Sequence, residues 1–181
     1  MKTALVVMLF VASAFAQTPA NAKSPITDAE AACGPNDVKF DTQKASPQSP
    51  VQAKAGKSVV YVVEVFDKVV GEISRPTLRV GLDGTWMGAD KGNSYLSFSV
   101  DPGEHHLCTN WQSHWKRFSN QAAFTSLTAD AGKTYYFRVR ITEHGGSTGA
   151  SNFSLDLEPV NGDEGKYLVA STNLSDSHAK K

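Results

Sequence analysis

Residues 101–111, DPGEHHLCTNW, place two histidines and a cysteine within four positions. Imidazole and thiolate are the ligand types of zinc and copper, and a cysteine with a histidine nearby is also the pair from which a thiol nucleophile is built. Spacing decides what this stretch can do. A strand entered after the Pro102-Gly103 turn sends His105, Leu107, Thr109 and Trp111 to one face and Glu104, His106, Cys108 and Asn110 to the other. His105 and His106 therefore cannot grip one ion. His106 and Cys108, two apart on a shared face, can, with His114 reaching in from beyond Gln112. That trio is the candidate metal site, and it requires Cys108 as a thiolate. His105 is expected to hydrogen-bond across its own turn.

The chain has two cysteines, Cys33 and Cys108. An even pair in an oxidising compartment is most simply a disulfide, here closing a loop of about 75 residues. The competing reading is two free thiols, Cys108 being a metal ligand. A disulfide would join the weak N-terminal segment to a strand inside the sheet and make the cysteine of HHLC a staple.

Other chemistries find less to work with. An oxidised Cys108 is a poor nucleophile. Asp83, Asp101 and Asp130 stand beside glycine, proline or alanine in turn sequences, where their side chains cap backbone groups instead of converging on a cleft. The residues point to a protein that is not an enzyme, and they imply no cofactor. Aromatics are the better lead for binding: Trp86, Trp111 and Trp115 flank the central hairpins. Exposed tryptophans on a sandwich suit sugar rings or a partner protein; the opposing reading is that one or two of them fill the core.

The compartment is read from the N-terminus. MKTALVVMLFVASAFA has a basic Lys2, an apolar run over residues 4–15 and small residues at Ala14 and Ala16, the pattern of a secretory signal peptide over 1–16. No later stretch approaches the roughly 20 apolar residues of a membrane helix, so no membrane insertion is expected after cleavage. The 18 basic and 18 acidic residues balance. A near-neutral chain lacks the field that releases phosphate counterions, which argues against nucleic acid as a partner.

The elements that must position these residues are strands. Residues 17–32 are small and polar and read as a flexible segment. DVKFDT (37–42) is a first strand, and 43–57 a proline-broken loop. SVVYVVEVF (58–66) is apolar on both faces. TLRVGLDG (77–84) ends in an Asp-Gly hairpin signal. NSYLSFSV (93–100), EHHLCTNWQ (104–112), AAFTSLTA (122–129), KTYYFRVRIT (133–142) and NFSLDLEPV (152–160) follow, separated by turn residues. The fold class is all-β, an antiparallel β-sandwich of about seven to eight strands spanning residues 33–172. A short C-terminal helix is a candidate at 163–172, with a last strand as the alternative there, and 173–181 read as a disordered tail.

Val80–Gly84 (VGLDG), Gly92–Val100, Pro102–His105 (PGEH) and Ala131–Tyr136 (AGKTYY) together resemble the bacterial DUF2846 family, over about residues 58–160. The family is uncharacterised, so the resemblance implies a small exported β-domain and carries over no catalytic residue. The expected role is an exported, non-catalytic interaction or structural module of the cell envelope, periplasmic or secreted, whose partner is a protein or a polysaccharide. The alternatives are a carbohydrate or envelope-polymer binder using Trp86, Trp111 or Trp115, and a metal-binding protein using His106, Cys108 and His114.

Overall fold

A strand apolar on both faces needs cover on both sides, and β2 (Ser58–Val65), apolar from Val59 to Val63, has it. In the computed structural model, which describes residues 31–45, 54–65, 76–114, 118, 120–144 and 152–181, β2 lies inside a six-stranded sheet between an antiparallel and a parallel neighbour. Val60 and Val62 enter the core between two sheets. Val59, Tyr61 and Val63 enter a second apolar cluster on the opposite face, beneath a helix. The described residues thus form three layers: a small sheet, a large sheet and one helix.

The remaining strands are β1 (Phe40–Ala45), β3 (Thr77–Leu82), β4 (Thr85–Lys91), β5 (Ser94–Val100), β6 (Gly103–Gln112), β7 (Ala122–Ala129), β8 (Thr134–His144), β9 (Asn152–Val160) and β10 (Asn173–Ala179). The large sheet runs β1-β10-β5-β2-β8-β9 and the small one β4-β3-β6-β7. Alternation along β6, β8 and β9 delivers Leu107, Trp111, Phe137, Val139, Phe153 and Leu155 to the space between them.

Turn chemistry joins these strands as the sequence predicts. Asp83 and Gly84 have φ of 49° and 83°, both positive, which is what a two-residue hairpin between right-twisted strands demands. The helix, α1 (Gly162–Ser171), is capped by Asn161, whose side chain accepts from the backbone N–H of Asp163 and Glu164 at 3.1 and 3.0 Å. Gly165 looks like a weakness in a helix, yet a β-carbon there would stand 2.1 Å from Cγ of Tyr136. Its bareness is what lets α1 sit directly on the Tyr61–Tyr136 stack, whose ring centroids are 5.2 Å apart.

Four expectations are corrected. The strands number ten among the described residues, not seven or eight. The first strand begins at Phe40, later than Asp37. Strand β4, TWMGADK, was hidden because its register shifts opposite Val80 and Gly81 and breaks the alternation. Residues 173–179 are no disordered tail: they form β10, paired with β1 over six residues. Its polarity is compatible with a strand because its hydroxyls are used. Ser177 Oγ accepts from the Ala89 N–H at 3.2 Å, and Ser175 Oγ donates to the Ala89 carbonyl at 2.7 Å. The signal-peptide reading of 1–16 and most of the flexible segment 17–32 lie outside the described residues; of that segment, Ala32 is buried.

Candidate functional site

Strand β6 puts His106, Cys108 and Asn110 on the outward face of the small sheet, and the chain before β1 lies across that face as a strap. Cys33 and Cys108 form a disulfide with their α-carbons 5.2 Å apart. Gly84 N–H donates to the Ala32 carbonyl at 3.1 Å. Arg79, 4% exposed, donates to the carbonyls of Asn36 and Val38 at 3.1 and 2.8 Å and to Oδ1 of Asn110. Burial lowers the Arg79 pKa, but a guanidinium with such acceptors stays charged. Its Cζ stands 4.4 Å from the ring centroid of Trp86, whose Nε1 donates to the Pro35 carbonyl at 2.8 Å. Gly34 lies under the indole, where a β-carbon would be 2.4 Å from Cδ1.

This arrangement redistributes the predicted ligands. Cys108 is committed to sulfur, so the trio His106, Cys108 and His114 cannot bind through a thiolate, and among the described residues no three histidines, cysteines or carboxylates are grouped to hold an ion. His105 does the work of a turn residue. Its Nδ1 lies 2.7 Å from Oδ2 of Asp83 and its Nε2 2.7 Å from the Asp101 carbonyl, while Oδ1 of Asp83 accepts from the His106 N–H at 2.8 Å. Burial alone would lower the His105 pKa. The bonds to Asp83 and Asp101 outweigh it, and the pKa is raised. Both ring nitrogens face acceptors, which only the imidazolium satisfies.

The two described tryptophans, Trp86 and Trp111, lie on opposite faces of the small sheet. Trp111 is 5% exposed and belongs to the core between the sheets, its ring centroid 4.6 Å from that of Phe118 and 5.9 Å from that of Phe153. That corrects its candidacy as a ligand-binding residue: the face of β6 that carries it is the inner one. Trp86 lies on the outer face of the same sheet, half-buried under the strap. Trp115 lies outside the described residues.

Composition hid one constellation. Glu64, the single charge in the apolar run of β2, and Asp90, at the end of β4, are both fully buried. Oε2 of Glu64 accepts from the Gly92 N–H at 2.7 Å. Among the described residues, neither oxygen of Asp90 has a hydrogen-bond partner. Burial, reinforced by the neighbouring Glu64 carboxyl, holds the Asp90 pKa well above its ordinary value, which favours the protonated acid. Lys91, next to Asp90 in sequence, and Ser94, opposite Glu64 in register, border with Thr42, Lys44 and Ser175 a cavity of about 150 Å³, room for a few waters. A sequence signal existed: a carboxylate inside an otherwise unbroken β-branched strand marks either a functional group or a costly burial.

No family model, curated protein or solved structure matches the chain. The geometry itself has to carry the functional reading. The disulfide bears on one part of it directly, since such a bond persists in an oxidising compartment and points outside the cytoplasm. No helix among the described residues is long and apolar enough to cross a membrane.

Proposed function

We propose that the chain is an exported, non-catalytic β-sandwich that serves as an interaction or structural module of the cell envelope, in the periplasm or outside the cell, with a protein or polysaccharide as partner. The observation that carries this reading is the Cys33–Cys108 bond, which pins the N-terminal strap across one face of the small sheet. The signal-like N-terminus and the resemblance to DUF2846 favour the same compartment and fold. The burial of Asp90 favours a non-catalytic role: an acid with a perturbed pKa marks an active site when a substrate can reach it, and Asp90 is sealed at 0% exposure. Polymer binding through a tryptophan row loses support, because Trp111 faces inward.

Binding of the labelled, disulfide-intact protein to isolated envelopes of its own cell tests this. Saturable binding that unlabelled protein competes away is expected. Linear, non-competable binding, or a tagged chain retained in the cytoplasm with reduced thiols, overturns it.

A further inference from the structure

A two-sheet sandwich has four edge strands, and an edge left with unpaired N–H and C=O groups is a template for another chain unless it is blunted. Three edges here are blunted by different means. On β1, the side-chain amide of Gln112 takes both backbone groups of Phe40, at 2.7 and 2.9 Å, and Lys180 pairs with Asp41 at 2.8 Å. On β4, the hydroxyls of Ser175 and Ser177 occupy the backbone of Ala89, and a bulge distorts the register. On β9, Asp156, Glu158 and Pro159 deter pairing by charge and by a missing donor.

Strand β7 has none of these devices. Its sequence is AAFTSLTA, with no charge and no proline. It pairs with β6 on one side; among the described residues no other strand hydrogen-bonds to it, and β9 of the large sheet approaches it without pairing. Phe124 on its outer face is 39% exposed.

We infer that β7 pairs antiparallel with β7 of a second copy of this chain about a two-fold axis, continuing the small sheet from one molecule into the next. The inference rests on the interaction-module reading and names a partner for it. Absence of charge argues for a second copy. A two-fold pairing sets each side chain opposite itself or a near neighbour, so any charged residue would face its like. With the axis at Thr125, Ala123 meets Leu127 of the second copy on the inner face. The two Phe124 rings then lie on a diagonal of the outer face, within reach of each other. Among the described residues of β6 and β7, the ionisable side chains on the outer face, Glu104 and His106 of β6, are at least three strand spacings from their counterparts, roughly 14 Å, beyond a physiological Debye length. The charges and proline of β9 confine the junction to the small sheets.

Sedimentation velocity of the disulfide-intact protein, up to about 500 µM, reads the association. Wild type should show a concentration-dependent monomer–dimer equilibrium. Ser126 is exposed, so Ser126→Lys and Ser126→Glu should keep the wild-type melting profile when dilute. Each should weaken the dimer at least about tenfold, and mixing the two should restore it as a heterodimer. A wild type that stays monomeric throughout, a dimer indifferent to both substitutions, or a mixture that stays monomeric overturns the inference. Envelope binding by a protein shown to be monomeric removes self-association and leaves the module reading standing. Loss of envelope binding with the dimer intact does the reverse.

Discussion

Replacing Cys33 by serine and Cys108 by alanine removes the staple without burying a new hydroxyl. The bond spans a sequence separation of 75 residues, and the chain-entropy relation then limits its contribution to about 4.5 kcal/mol at 25 °C. That is an upper value, because a denatured chain that stays compact loses less freedom when cross-linked. In the folded state the strap keeps its other anchors, the Arg79 bonds to the carbonyls of Asn36 and Val38 and the Trp86 bond to Pro35. The expected loss is therefore about 2–4 kcal/mol, a fall in melting temperature on the order of 5–15 °C for a chain of this size. Guanidinium unfolding followed by tryptophan fluorescence measures it, with the m-value equal or slightly larger because the uncrosslinked unfolded chain exposes more surface. Cys33→Ser alone should come within about 1 kcal/mol of the double variant, since a buried Cys108 thiol behaves as a small apolar group. A double-variant loss below about 1 kcal/mol would show that non-covalent contacts alone hold the strap and would refute the staple argument.

The Asp90 carboxyl has a folded pKa raised by burial and by Glu64 above its ordinary value of 3.8. Its contribution to stability is therefore full below pH 3.8 and is lost as pH rises through the folded value. Asp90→Asn should gain on wild type as pH rises from about 4 to 8; a gap that stays constant across that range would refute the buried neutral acid. His105 has its folded pKa above 6.5, so its bonds to Asp83 and Asp101 stabilise most below pH 6.5 and fade as pH passes through the folded value. An NMR titration of the ring protons should find the midpoint above 6.5, and His105→Gln should cost most in acid. Gly165→Ala, which on an open helix gains about 1 kcal/mol, should instead destabilise by about 1–3 kcal/mol, because the new methyl meets the Tyr136 ring. A stabilised variant would mean that α1 does not press on that ring.

Much of the strand order was legible because alternation is a strong signal wherever one face is buried. It located β7 and β9 residue for residue, and the nearly unbroken apolar run of β2 marked a strand buried on both faces. The turn residues were equally informative, Asp83-Gly84 above all. What stayed hidden follows from the same physics. The bulge in β4 destroys the period that would have revealed it, and β10 is held by backbone pairing and by the hydroxyls of Ser175 and Ser177, which leave no apolar stripe. The site was half legible. Cysteine counting found the staple, and the turn position of His105 found its role. Nothing in the pattern told which face of β6 would be interior, and so Trp111 read as a binding residue. Glu64 and Asp90 meet only through tertiary structure, one from each sheet.

The disulfide also fixes how the domain carries tension. Strands β1 and β10 pair antiparallel with Phe40 opposite Ala179, so opposed pulls on the two ends of the chain would peel this pair apart one rung at a time. The cross-link lies upstream of β1. A pull arriving from the N-terminal side reaches Cys33 first and passes through sulfur to Cys108, in a strand flanked by neighbours on both sides. The segment from Gly34 to Phe40 is left slack, and β1 keeps its Gln112 anchor. Tethered by its N-terminus, this module would bear load on the middle of the small sheet, with the β1–β10 pair relieved from that side.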